Sequence, residues 1–192
     1  HRIDDQQLVS LAAASAVDHN VTGAEARLRQ LGIELSEAST PAAPFKPVVR
    51  VGNMIYLSGH GPRQPAGGFV KGKVGESLSI EEGQAAARLT GLDMLSTIRG
   101  ALGSLDKVDR LVKVTGMVNS TDDFTQHPQV INGFSTLMID VFGEESGKGA
   151  RSAVGMSGLA VLFNPLGFDW SNPNTVTGNG ILASSAMVFM RA

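Results

Sequence analysis

The sequence has no cysteine. That removes disulfides, thiolate nucleophiles and cysteine-ligated metals, and leaves no sign of an oxidising compartment, so the expected location is the cytoplasm. Charge of one sign is also scarce. Sixteen Lys and Arg against 18 Asp and Glu give a net charge of −2, and no basic run interrupts the balance, which leaves no electrostatic footprint for nucleic acid. Long apolar runs are missing too. Leu8 to Val17 is the weakly apolar stretch nearest the start; Asp4 and Asp5 precede it and it is too short to span a bilayer, so no membrane partner is expected. The four histidines, His1, His19, His60 and His127, show neither HxxH nor HExxH spacing, so no metal site is expected. No GK[ST] follows the glycines between Gly67 and Gly75, which excludes a phosphate-binding loop there and leaves a plain glycine-rich loop.

What remains is an ordinary globular composition, 42% hydrophobic with mean hydropathy +0.05 over 192 residues, enough for one domain with a sizeable core. Residues 1–40 read as an N-terminal helical extension. Asp4 is placed to cap a short helix through Ser15, and Thr22-Gly23-Ala24-Glu25 has capping-box spacing ahead of a second helix over about 23–31, stopped by Gly32. Pro41, Pro44 and Pro47 then enforce an extended path into the main domain, 41–192.

Val48 to Val51 and Asn53 to Ser58, separated by Gly52, predict a hairpin or a bulged strand pair. Ser79-Ile80-Glu81-Glu82 is a second capping box. Leu89, Leu92, Leu95, Ile98 and Leu102 follow at helical spacing, predicting a long helix over about 80–102. Val108 to Val118 reads as a strand, Pro128 to Phe142 as a second amphipathic helix, and Ile181 to Met190 as a closing strand, with residues 158–180 irregular. The order of these elements predicts an α/β chain of two layers, a sheet with two long helices on one face. The other face needs cover, so oligomerisation around it is expected.

Two strand termini draw attention for chemistry. Gly149 to Gly155 sets Arg151 where a loop enters an apolar strand. A guanidinium there offers a rigid fork matched to a carboxylate, and the alternative is a surface or ion-paired arginine. Leu57-Ser58-Gly59-His60 lacks the glycine two residues before the serine that a nucleophile elbow requires, since Tyr56 stands there; Ser58 reads as a hydrogen-bonding group or a turn residue. His60 either faces a cleft or is a loop histidine bonded to backbone.

Val51-Gly52-Asn53-Met54-Ile55-Tyr56-Leu57-Ser58-Gly59-His60-Gly61-Pro62, the Glu82 to Gly103 helix, Asp123-Phe124 and Ala150-Arg151-Ser152-Ala153-Val154 occur in an order that resembles the RidA family, also called YjgF or L-PSP endoribonuclease. Arg27 to Leu35 and Pro128 to Phe134 resemble a branch with a helical lead-in. The resemblance implies a chorismate-mutase-like α/β fold with a mixed sheet that trimerises into a barrel, with clefts between subunits. It also implies a cofactor-free enamine/imine deaminase that hydrolyses 2-aminoacrylate-type imino acids to 2-keto acids and ammonia. Arg151 matches the carboxylate-binding arginine, with Ser58 as its catalytic companion, and Ser58 and Gly59 the pair lining the cleft. Asn132 matches a helix asparagine, and Phe45 stands where relatives carry a cleft tyrosine. The implied partner is a small carboxylated imine or keto acid. One departure stands out: the family's last strand carries a glutamate thought to help the catalytic water, whereas Ile181 to Met190 has no acid. A non-catalytic carboxylic-acid-binding module of the same fold is therefore the alternative.

Overall fold

A computed structural model describes residues 22–38, 44–156 and 184–191. The expected helix from Asp4 to Ser15 and the irregular stretch 158–180 lie outside the described residues. The chain runs through helix α1 (Ala24–Gln30), strands β1 (Val48–Val51) and β2 (Met54–Leu57), helix α2 (Ile80–Leu102), a 3-10 turn (Leu105–Lys107), strand β3 (Arg110–Asn119), helix α3 (His127–Phe142), a single turn α4 (Glu144–Gly147), and strands β4 (Ala150–Met156) and β5 (Ser184–Arg191). The five strands form one mixed sheet in the order β1-β2-β5-β3-β4, with β3 and β4 parallel and the other pairs antiparallel.

Local chemistry accounts for most of these elements. Val51 pairs with Met54, leaving Gly52 and Asn53 as a two-residue hairpin turn, and Gly52 takes φ 59°, the left-handed value such a turn asks of its first residue. At the start of α2 the predicted box is formed: the Ser79 hydroxyl accepts the Glu82 amide at 3.2 Å, and the Glu82 carboxylate accepts the Ser79 amide at 2.8 Å. Gly103, left-handed at φ 81°, ends the helix.

The box expected at Thr22 does not form. Gly23 caps α1, and the partners come from far along the chain: the Asp106 carboxylate accepts the Glu25 amide at 3.0 Å, while the Glu25 carboxylate accepts the Leu105 amide at 3.0 Å. These bonds tie α1 to the turn between α2 and β3, and Ala24 and Leu28 are buried in the main core.

The core lies between one face of the sheet and the two long helices. Ile55, Leu57, Leu111, Val114, Val118 and Met190 meet Leu95, Ile98, Ile131, Phe134, Leu137 and Met138, all nearly inaccessible. Alternation along β3 turns Leu111, Val114, Gly116 and Val118 inward and Thr115 and Met117 outward. Helices α2 and α3 approach closely because small residues stand at their crossing: a Cβ on Gly133 would run into the Gln84 carbonyl, and one on Gly91 would lie 2.8 Å from Leu137. The opposite sheet face is open, and Val49, Val51, Tyr56, Val112, Val154 and Met156 are its exposed apolar side chains. Among the described residues no helix is long and apolar enough to cross a membrane.

Candidate functional site

Strand β4 is an edge strand of the sheet, and Arg151 stands near its start. In the β3–β4 register Arg151 lies opposite Val114, whose side chain is buried beneath the helices, so Arg151 projects on the helix-covered side at the sheet's free edge. There helix α3 meets it. Arg151 Nη1 donates to Asn132 Oδ1 at 2.9 Å and to Ser135 Oγ at 3.0 Å, two residues three apart on one helix face. Arg151 is solvent-exposed, and among the described residues no carboxylate pairs with it. One guanidinium nitrogen is thus held in place while the other edge of the fork is left for a ligand.

Ser58 sits elsewhere. Its hydroxyl donates to the Lys46 carbonyl at 2.8 Å and its amide to the Pro47 carbonyl at 3.0 Å, closing the base of the β1–β2 hairpin. Tyr56, Phe189, Lys113 and Ala150 form one row across the sheet. Ser58 therefore leaves the sheet level with Arg151 and Ser152 but three strand spacings away, about 14 Å. Within one chain the structure brings Asn132 to Arg151 and keeps Ser58 and Gly59 too far to grip the same small molecule. Gly59 is half-buried beside Ser58, and Phe45 is half-buried just ahead of β1.

His60, the residue after that turn, is buried, with Nδ1 2.8 Å from the Ser58 carbonyl and Nε2 2.8 Å from Thr97 Oγ1. The backbone-bonded reading of His60 is the one observed. Burial pushes its pKa down, opposed in part by the Asp93 carboxylate; burial also pushes Asp93 up, opposed by His60 and by Arg63, whose Nε lies 3.2 Å from Asp93 Oδ1. The imidazole is thereby favoured in its neutral form, as a brace behind the Ser58 turn.

A second feature was not signalled by any motif. His127, the first residue of α3, has Nε2 3.0 Å from Ser120 Oγ, and its ring meets Phe124 edge-on with centroids 5.2 Å apart. Gly155 of β4 leaves the room the imidazole fills, since a Cβ there would collide with it. Ser120, Thr121, Asp122, Phe124, His127, Gly155 and Met156 line a cavity of about 300 Å³. Five of these residues come from the short connection between β3 and the start of α3, and the pairing of β4 with β3 brings Gly155 and Met156 to them. Among the described residues no group of three or more His, Asp or Glu side chains is placed to hold a metal ion.

The comparisons agree with this architecture. Residues 25–162 match the family described as "YjgF/chorismate mutase-like, putative endoribonuclease". The chain is 45% identical over 134 residues to Protein TCP17 of Trypanosoma cruzi, an alignment covering 70% of this chain and 84% of the relative. Among solved structures, an Agrobacterium tumefaciens protein of unknown function is 30% identical with a TM-score of 0.69, covering 88% of this chain and 90% of that one. A Shewanella oneidensis protein carrying the same endoribonuclease description aligns at TM-score 0.74 and 23% identity, covering 89% of this chain and all of its own, a likeness of fold. With the five-stranded mixed sheet, the two long helices and the family match over most of its length, the chain belongs to the YjgF/chorismate-mutase-like family.

Proposed function

We propose that this protein is an enamine/imine deaminase that hydrolyses small 2-imino acids to 2-keto acids and ammonia. The observation that carries the reading is Arg151: an exposed guanidinium at a sheet edge, held through Nη1 by Asn132 and Ser135 and without a carboxylate partner among the described residues. A substrate carboxylate on the remaining edge of the fork would fix the position of the C=N carbon one bond away. Water adds to that carbon, the nitrogen takes up protons, and the carbinolamine collapses to release ammonia and leave the keto oxygen. This chemistry needs orientation and proton transfer and no cofactor.

The three strand spacings between Ser58 and Arg151, about 14 Å, fit a site assembled across a subunit boundary, with Ser58 and Gly59 of one copy facing Arg151 of another. The apolar open face of the sheet supports such an assembly, a homotrimer that closes three sheets around their exposed valines, Tyr56 and Met156. The family's endoribonuclease description finds little support in the residues, because a net charge of −2 and the absence of a basic stripe offer no path for a phosphate backbone.

One specific observation favours the second reading, a carboxylic-acid-binding module without turnover: β5 carries no Asp or Glu, so the acid implied for water activation is absent from that strand. The experiment that separates them generates 2-iminopropanoate and 2-iminobutanoate in situ and follows loss of imine absorbance. The deaminase reading expects hydrolysis well above the buffer rate. Its absence, together with thermal stabilisation by 2-oxo acids, would replace it with the binding module; a ligand at 100 times its Kd adds about 2.7 kcal/mol.

A further inference from the structure

A guanidinium carries five N–H groups, one on Nε and two on each terminal nitrogen. On Arg151 the two acceptors supplied by α3, Asn132 Oδ1 at 2.9 Å and Ser135 Oγ at 3.0 Å, both take Nη1. Two hydrogens meet two acceptors, so that nitrogen is filled. Nε and Nη2 have no acceptor among the described residues. A carboxylate can meet a guanidinium on two bidentate edges, the end across Nη1 and Nη2 or the side across Nε and Nη2. The end edge requires an Nη1 hydrogen, and none is left. Ser135 completes this occupancy. Thr90 and Ser96 of α2 give their hydroxyls to carbonyls four residues back in their own helix, Ala86 at 3.1 Å and Leu92 at 3.0 Å. The half-buried Ser135 makes no such bond to its own helix and lies against Arg151 instead.

We propose that Ser135 is a positioning residue: with Asn132 it fills Nη1 and commits Arg151 to take the substrate carboxylate side-on, across Nε and Nη2. The inference rests on the carboxylate-anchor reading of Arg151. Side-on docking lays the carboxylate along the Nε–Nη2 edge and fixes the direction in which the C=N carbon lies from it, so α3 sets where that carbon sits by the nitrogen it occupies. Asn132 alone would leave one Nη1 hydrogen free. The end edge would then compete, and a carboxylate on it points a third of a turn away about the guanidinium centre. Loss of Ser135 therefore mixes two poses, whereas loss of Arg151 removes the fork altogether.

The test follows the Arg151 Nε–H proton by proton–nitrogen NMR while the full chain is titrated with 2-oxobutanoate, the resonance being assigned by its loss in Arg151→Lys. Binding is read independently of turnover, so the result holds whether the protein is an enzyme or a binding module. Side-on docking sets a carboxylate oxygen on Nε–H, so the wild-type resonance should move downfield as the ligand saturates. Ser135→Ala, a change that suits a helix, should keep its Tm and bind about fivefold more weakly, because a fork held by one acceptor is less pre-organised. Its Nε–H shift at saturation should be smaller, since part of the ligand sits on the end edge. Ser135→Thr returns the hydroxyl and should restore both affinity and shift. If wild type binds 2-oxobutanoate more tightly than Arg151→Lys but Nε–H does not move, side-on docking is wrong and the anchor stands. If Ser135→Ala keeps the wild-type affinity and shift, or Ser135→Thr fails to restore them, Ser135 has no positioning role and the anchor again stands. If no 2-oxobutanoate binds, or Arg151→Lys binds it as tightly as wild type, the anchor itself is wrong and the positioning role falls with it.

Discussion

Replacing Gly133 by alanine probes the fold and the site together, because α3 carries His127, Asn132, Gly133 and Ser135 on one rigid element. The new Cβ meets the Gln84 carbonyl of α2, a backbone atom that cannot turn aside, so the two helices must separate. Overpacking of this kind costs about 1–3 kcal/mol, and the upper end applies where the obstacle is backbone. Alanine's better helix propensity returns about 1 kcal/mol. A net loss of about 2 kcal/mol corresponds to a fall in Tm of roughly 4–8 °C for a chain of this size. Scanning calorimetry of Gly133→Ala beside Thr136→Ala, an exposed position on the same helix, isolates the contact, since the second change should be neutral or slightly stabilising. The same displacement moves Asn132 and Ser135 off Arg151, so ligand affinity at 25 °C should fall in the folded variant as well. A Gly133→Ala protein as stable as wild type would refute the tight helix crossing.

Three further outcomes are expected. His60 has a folded pKa below its ordinary value of 6.5, so the unfolded chain binds the proton first; stability is full above pH 6.5 and declines as pH falls below it, and His60→Gln should flatten that decline in Tm measured from pH 8 to 5. Asn132→Ala removes one of the two acceptors holding Arg151 Nη1 and should weaken 2-oxo acid binding about tenfold by calorimetry with little change in Tm, whereas unchanged affinity would remove Asn132 from the site. Val154→Asp puts a charge on the open apolar sheet face; light scattering should find wild-type trimers and smaller species for the variant, and identical masses would show that this face is not the interface.

Features set by neighbours in sequence were legible before the structure. The Ser79–Glu82 box, the Gly103 stop, the Gly52 turn and the spacing of Leu95 and Ile98 each depend on residues within a few positions. Thr22 and Glu25 show the limit, because identical spacing lost to Asp106 and Leu105, about 80 residues away, whose carboxylate and amide offered α1 better partners. The strand order carries no local signature: β5 inserts between β2 and β3, and this insertion separates Ser58 from Arg151. Arg151 was readable as a cation entering an apolar strand, and Asn132 as a substrate-binding helix asparagine through the resemblance; the bond between the two is seen only in the fold. Ser135, which adds a second acceptor, and the His127–Gly155 contact arise from helix α3 lying along β4, and no spacing in the chain encodes that.

The carboxylate-anchor role of Arg151 is tested most directly by steady-state hydrolysis of 2-iminopropanoate by wild type and Arg151→Ala, each confirmed folded by melting. Loss of a charge-assisted fork predicts a fall in kcat/KM of about 100-fold. An Arg151→Ala protein as active as wild type would contradict it.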